Sequence, residues 1–110
     1  MGKQGFVSKH WTDETGAPEG GHTTGTGFTI AWQRGPLGRI GTEERVQPNG
    51  AFVEDVLDAV IERVQVYQDS RFACSENAQA LEHLRLAAEA LDSRTKRREA
   101  AKTEGTHEGN

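Results

Sequence analysis

Residues 49–68 read NGAFVEDVLDAVIERVQVYQ, and their spacing decides the fold. Phe52, Val53, Val56, Leu57, Val60, Ile61, Val64 and Tyr67 step by alternating threes and fours, which draws one apolar stripe down a helix. Asn49 is a residue type that caps a helix by accepting a hydrogen bond from one of its first unpaired amides, and Pro48-Asn49-Gly50 closes what precedes it. Glu54 and Asp55 set negative charge at the positive end of the helix dipole.

Downstream, Asp69 and Ser70 interrupt the stripe, and a second one runs through Ala78, Leu81, Leu84, Ala88 and Leu91. So short a connection makes the two helices antiparallel neighbours, and the alanines let the backbones approach. The basic cluster Arg94, Lys96, Arg97 and Arg98 suits the negative pole at the end of the second helix. Beyond it, Lys102 to Asn110 is polar and has no apolar partner of its own.

Upstream, Phe28-Thr29-Ile30-Ala31-Trp32 is rich in strand-forming types, and Arg34-Gly35-Pro36-Leu37-Gly38 supplies turn chemistry. A partner strand is expected within Leu37 to Val46, although Gly38 and Gly41 interrupt it. From Met1 to Thr26 only Phe6, Val7 and Trp11 are sizeable apolar residues. Such a composition does not offset the entropy of ordering, so it predicts a disordered arm. The run Gly20 to Gly27 lacks the Lys-Ser/Thr ending of a phosphate loop and reads as linker. The expected organisation is therefore an arm over 1–26, an α+β domain over 27–101 and a polar tail over 102–110. Within the domain, a short β-hairpin precedes a long antiparallel two-helix hairpin.

With 110 residues, 34% of them apolar and 27% charged, the chain has room for one small domain with a thin core. A hairpin of two helices buries one seam, and oligomerisation is the usual way to cover the rest, so a homo-oligomer is expected. The net charge of −4 argues against nucleic acid as a partner. Cys74 is the single cysteine and has no zinc-spaced companions, which suits a reducing cytoplasm. No run approaches the ~20 apolar residues of a membrane span, and the N-terminus lacks the order of a signal peptide.

The residues carry no nucleophile–base spacing and no metal-binding helix motif, and the expectation is a protein that is not an enzyme and uses no cofactor. Glu62 and Arg63 read as a solvated face, Cys74 as packing, and His83 as an edge of the seam. Binding chemistry is better represented. Tyr67, Arg71, Phe72 and Asn77 gather around the connection, and aromatic faces, an amide and a guanidinium together recognise nucleobases and phosphate. Arg94 follows Asn77 by seventeen residues, which is about 25 Å along one helix. Either an antiparallel partner chain brings an Arg94 to Asn77, or Tyr67 and Phe72 plug the hairpin end while Arg94 caps a helix.

Three stretches together resemble the first type of phage anti-Thoeris sponge, a family that shares its helical hairpin with the second phage anti-CBASS protein. They are Pro48 to Val56, the connection Tyr67 to Cys74 with Glu76-Asn77-Ala78, and Arg94-Thr95 followed by Glu104-Gly105-Thr106-His107. The resemblance implies a non-enzymatic sponge for the small-molecule nucleotides that signal bacterial anti-phage defence, acting in the host cytoplasm. It implies dimers built into hexamers, cyclic ADP-ribose isomers at the dimer interface and cyclic oligonucleotides in a separate site. Carried over, Tyr67 stacks on a base, Asn77 reads its edge, and Arg94 supplies a cation from the second wall. For the separate site the nearest basic residues are Arg39 and Arg45. The chain departs from the family pattern at Ser75, where a basic residue is expected, and at Ala90, where a bulky aromatic is expected. The other reading is a structural or adaptor oligomer with no small-molecule ligand.

Overall fold

The computed structural model describes residues 2–38 and 41–100. It is an α+β chain of three strands followed by two helices. It divides into two compact units, one of Met1–Phe52 with Arg98–Asn110, which carries the strands, the other Val53–Arg97.

In the first unit, β1 (Phe6–Thr12), β2 (Pro18–Gly25) and β3 (Phe28–Trp32) form an antiparallel sheet in the order β1-β2-β3. The stretch expected as a disordered arm therefore holds two of its three strands. Strand β3 has its antiparallel partner in β2, through the two-residue turn Thr26-Gly27, and not in the segment from Leu37 to Val46. Among the described residues of that segment there is no strand; the Val46 N–H donates to the Leu37 carbonyl and the Arg45 N–H to the Thr42 carbonyl.

Polar β2 is ordered by its place between two strands. Thr23 lies opposite Ser8 on one side and Ile30 on the other, so the three side chains share a face. Its hydroxyl is 2.8 Å from the Ser8 hydroxyl and accepts the Trp32 indole N–H at 2.9 Å. Thr23 is 7% exposed and forms the polar centre of the sheet. Gly21 beside it has φ +138°, and a Cβ there would strike the Lys9 carbonyl oxygen. Only glycine fits that crossing with β1. The β1–β2 turn is tied by Asp13, whose Oδ1 accepts from the Thr15 amide and hydroxyl and from the Ala17 amide, an arrangement for which Asp is suited by its short acceptor.

Asn49 does not cap the first helix. Its Oδ1 accepts the Arg34 N–H at 2.8 Å and its Nδ2 donates to the Arg34 carbonyl at 3.0 Å. Gln33 Oε1 in turn accepts the amides of Asn49 and Gly50. A carboxamide can donate and accept at once, so it brackets the backbone of one residue from both ends, whereas a cap would use its acceptor alone. Ala51 then meets Trp32 in a single parallel bridge.

The second unit is the hairpin of α1 (Val53–Gln68) and α2 (Ser75–Ala100). The helices run antiparallel: the Arg85 guanidinium donates to Gln65 Oε1 at 2.8 Å, and Thr95 Oγ1 donates to Glu54 Oε2 at 3.3 Å. The seam follows the apolar spacing. Val56, Leu57, Ile61 and Val64 of α1 and Leu84, Ala88 and Leu91 of α2 are half-buried, and Leu81 is 4% exposed. Val53, Val60, Val66 and Leu86 remain on the surface.

Candidate functional site

The chain reverses between α1 and α2 over six residues, Asp69 to Cys74, and side chains of α1 hold that reversal. Gln68 spans it: Nε2 donates to the Cys74 carbonyl and Oε1 accepts the Cys74 N–H, both at 3.1 Å. The Ser70 hydroxyl donates to the Tyr67 carbonyl at 2.5 Å and accepts the Phe72 N–H at 3.1 Å. Gln65 Nε2 donates to Asp69 Oδ1 at 2.9 Å. The connection is a cross-linked cap on the hairpin, with its aromatic residues set outward.

Four of the residues expected to bind ligand lie at this end of the hairpin. Asn77, in the first turn of α2, donates from Nδ2 to the Phe72 carbonyl at 3.2 Å. The second Nδ2 hydrogen and Oδ1 remain available for a base edge. Phe72 is 64% exposed, with the Arg71 guanidinium 4.8 Å from its ring centre. Tyr67 is 42% exposed and carries the Arg63 guanidinium at 5.1 Å, with Arg63 Nε donating to the Tyr67 hydroxyl at 3.3 Å. Both rings thus have a cation against one face, a favourable pairing of positive charge with the ring quadrupole. Aromatic planes edged by guanidinium donors and an amide can stack a flat heterocycle and hold an anion beside it.

Arg63 was read from the sequence as part of a solvated face. Its spacing of four from Tyr67, one helical turn, is the signal that identifies it, because such pairs are neighbours on a helix surface. Cys74 is exposed, not a packing element. Arg94 lies on the same unbroken α2 as Asn77, about 25 Å further along by the helical rise, and so belongs to the opposite end of the hairpin. Arg45 lies in the sheet unit, where its guanidinium donates to the Gly38 carbonyl at 3.1 Å. Arg39 and the tail 102–110 fall outside the described residues. No group of three or more His, Cys, Asp or Glu that could hold a metal occurs among the described residues, and no helix there is long and apolar enough to cross a membrane.

Comparison with known proteins matches residues 29–96 to the model of the Acb2/Tad1 hairpin domain. The protein Thoeris anti-defense 1 of Bacillus phage SBSphiJ7 is 41% identical over 80 residues, which are 73% of this chain and 52% of that protein. The chain thus matches about half the length of that curated relative.

Proposed function

The chain belongs to the Acb2/Tad1 hairpin family, and we propose that it counters an anti-phage defence by sequestering a nucleotide signal without turning it over. The observation that carries this is the outward cap, where Tyr67 and Phe72 each present a ring backed by a guanidinium and Asn77 keeps an open amide edge. The name of the phage relative supports the anti-defence role. The ligands are cyclic ADP-ribose isomers on the cap, with cyclic oligonucleotides in a separate site near Arg39 and Arg45.

The binding unit is an oligomer of dimers acting in the host cytoplasm. Val53, Val60, Val66 and Leu86 are exposed along the helices, and a second copy would cover them. Antiparallel pairing of two hairpins sets Arg94 of one chain beside Asn77 of the other, which closes a pocket that one chain leaves open.

Calorimetric titration with cyclic ADP-ribose isomers and with cyclic di- and trinucleotides tests the proposal. Submicromolar binding of at least one of them, with the ligand recovered unchanged after denaturation, is the expected result. Absence of heat with all of them would favour the adaptor reading, and a recovered hydrolysis product would make the protein an enzyme.

A further inference from the structure

A second group of aromatic and basic side chains lies within the sheet unit and includes none of the hairpin residues. Lys9 and His22 are directly opposite in the β1–β2 register, so their side chains rise from the same face, about 5 Å apart at Cβ. Trp11 meets His22 edge to face, with ring centres 5.9 Å apart. It therefore shares that face, two residues and about 7 Å beyond Lys9 along the strand. The Arg34 guanidinium closes the group, 5.3 Å from the centre of the Trp11 ring.

Arg34 is held there by its backbone. The Asn49 carboxamide brackets its peptide N–H and carbonyl, and its Cα and Cβ pass 3.1 Å from the point where Gly20 would carry a Cβ. A Cβ at position 20 would crowd Arg34, which would have to give way by a few tenths of an ångström. The sequence thus commits a glycine and an asparagine to the placing of one exposed arginine.

The charge on this face is uncompensated. Among the described residues neither Lys9 nor Arg34 has a carboxylate partner. A guanidinium set over an indole still has its N–H donors to offer, and the ammonium of Lys9 keeps its three donors. Trp11 is 40% exposed on an edge strand, a large apolar surface left to water between two cations. A solvated charged face explains Lys9 alone, but not an indole set against His22 and Arg34.

We propose that Lys9, Trp11, His22 and Arg34 form a binding face for a nucleoside monophosphate, the base lying against Trp11 and the phosphate held by Arg34 and Lys9. Flat bases stack on indole regardless of their identity, and a guanidinium with an ammonium beside it is the donor set that phosphate takes. His22 adds a ring N–H at the rim. Lys9, Trp11 and His22 precede the segment that matches the hairpin family, and this face stands whether or not the hairpin cap binds its own ligand.

Indole fluorescence of the full chain, titrated with AMP and separately with adenosine and with inorganic phosphate, tests the proposal. AMP should quench saturably, and adenosine should need at least about tenfold more, the size expected for loss of a charge-assisted phosphate contact. Arg34→Gln and Lys9→Gln should each raise the AMP midpoint about five- to tenfold. Trp11→Phe should abolish the quench while Trp32, bonded through its indole to Thr23, continues to emit as in the parent and reports an intact sheet. Tyr67→Ala should leave the AMP midpoint unchanged, which separates this face from the hairpin cap. Equal quenching by adenosine and AMP, an unchanged midpoint in both cation variants, or no saturable quench at millimolar AMP would each overturn the proposal.

Discussion

Replacing Thr23 by Val keeps the shape of the side chain and removes one hydroxyl. In the native sheet that oxygen accepts the Trp32 indole N–H at 2.9 Å and bonds to the Ser8 hydroxyl at 2.8 Å. Thr23 is buried, Trp32 half-buried and Ser8 exposed, so water can replace the bond at Ser8 more readily than at the indole. A net hydrogen bond contributes about 0.5–1.5 kcal/mol, and a stranded buried donor costs about 1–3 kcal/mol. The sum for Thr23→Val is about 2 kcal/mol, weighted toward Trp32. For a domain of this size that is a fall in Tm of roughly 8–16 °C, read from the emission of Trp32 on heating. Thr23→Ser keeps the hydroxyl and loses one methyl, worth about 0.8 kcal/mol, and should fall by less than half as much. An unchanged Tm in Thr23→Val, or equal losses in the two variants, would refute the view that a hydroxyl-centred sheet orders the N-terminal strands.

Gly21→Ala should unfold the sheet or destabilise it by at least about 2 kcal/mol, because the new Cβ meets the Lys9 carbonyl at a strained φ; circular dichroism and Trp32 emission read the loss, with Gly2→Ala, which meets nothing, as the unaffected control. Leu81→Ala removes the buried side chain of the hairpin seam and should cost about 2–3 kcal/mol in chemical denaturation. Gln68→Ala deletes both bonds across the connection, worth about 1 kcal/mol at an exposed position, and amide exchange over 69–74 should speed up about fivefold while α1 and α2 keep their protection.

The helices were legible in the sequence because their order is written in large side chains at a fixed period. Val56, Leu57, Ile61 and Val64 of the first stripe form the seam with Leu81, Leu84, Ala88 and Leu91 of the second, while Val53 and Val60 stay exposed, and the connection falls at Asp69 and Ser70 as expected. The first two strands were not legible. In β2, PEGGHTTG, no large apolar residue marks a buried face, and its order comes from two neighbours and the hydroxyl of Thr23. In β1 the alternation is present, with Phe6, Ser8 and His10 on one face and Val7, Lys9 and Trp11 on the other, yet both faces are exposed and neither reads as apolar. Asn49 shows a further limit: the amide that can cap a helix can also bracket the backbone of one residue, and its partner Arg34 stands fifteen residues away. That Tyr67, Arg71, Phe72 and Asn77 lie at one end of the hairpin was legible because one short connection confines them. Trp11 and Arg34 come together only through the fold.

The central claim is that the hairpin holds half of a ligand site, completed by Arg94 of a second copy. Two variants, Tyr67→Ala and Arg94→Ala, each titrated alone with a cyclic ADP-ribose isomer bound by the parent chain, should bind at least about tenfold more weakly. Unfolded together in equal amounts and refolded, they should recover parent affinity in about a quarter of the sites, since random pairing gives each pocket one intact wall from each chain that often. Recovery of that fraction is the predicted result. A mixture with no high-affinity sites would place Tyr67 and Arg94 in one chain's own pocket, and would contradict the shared site.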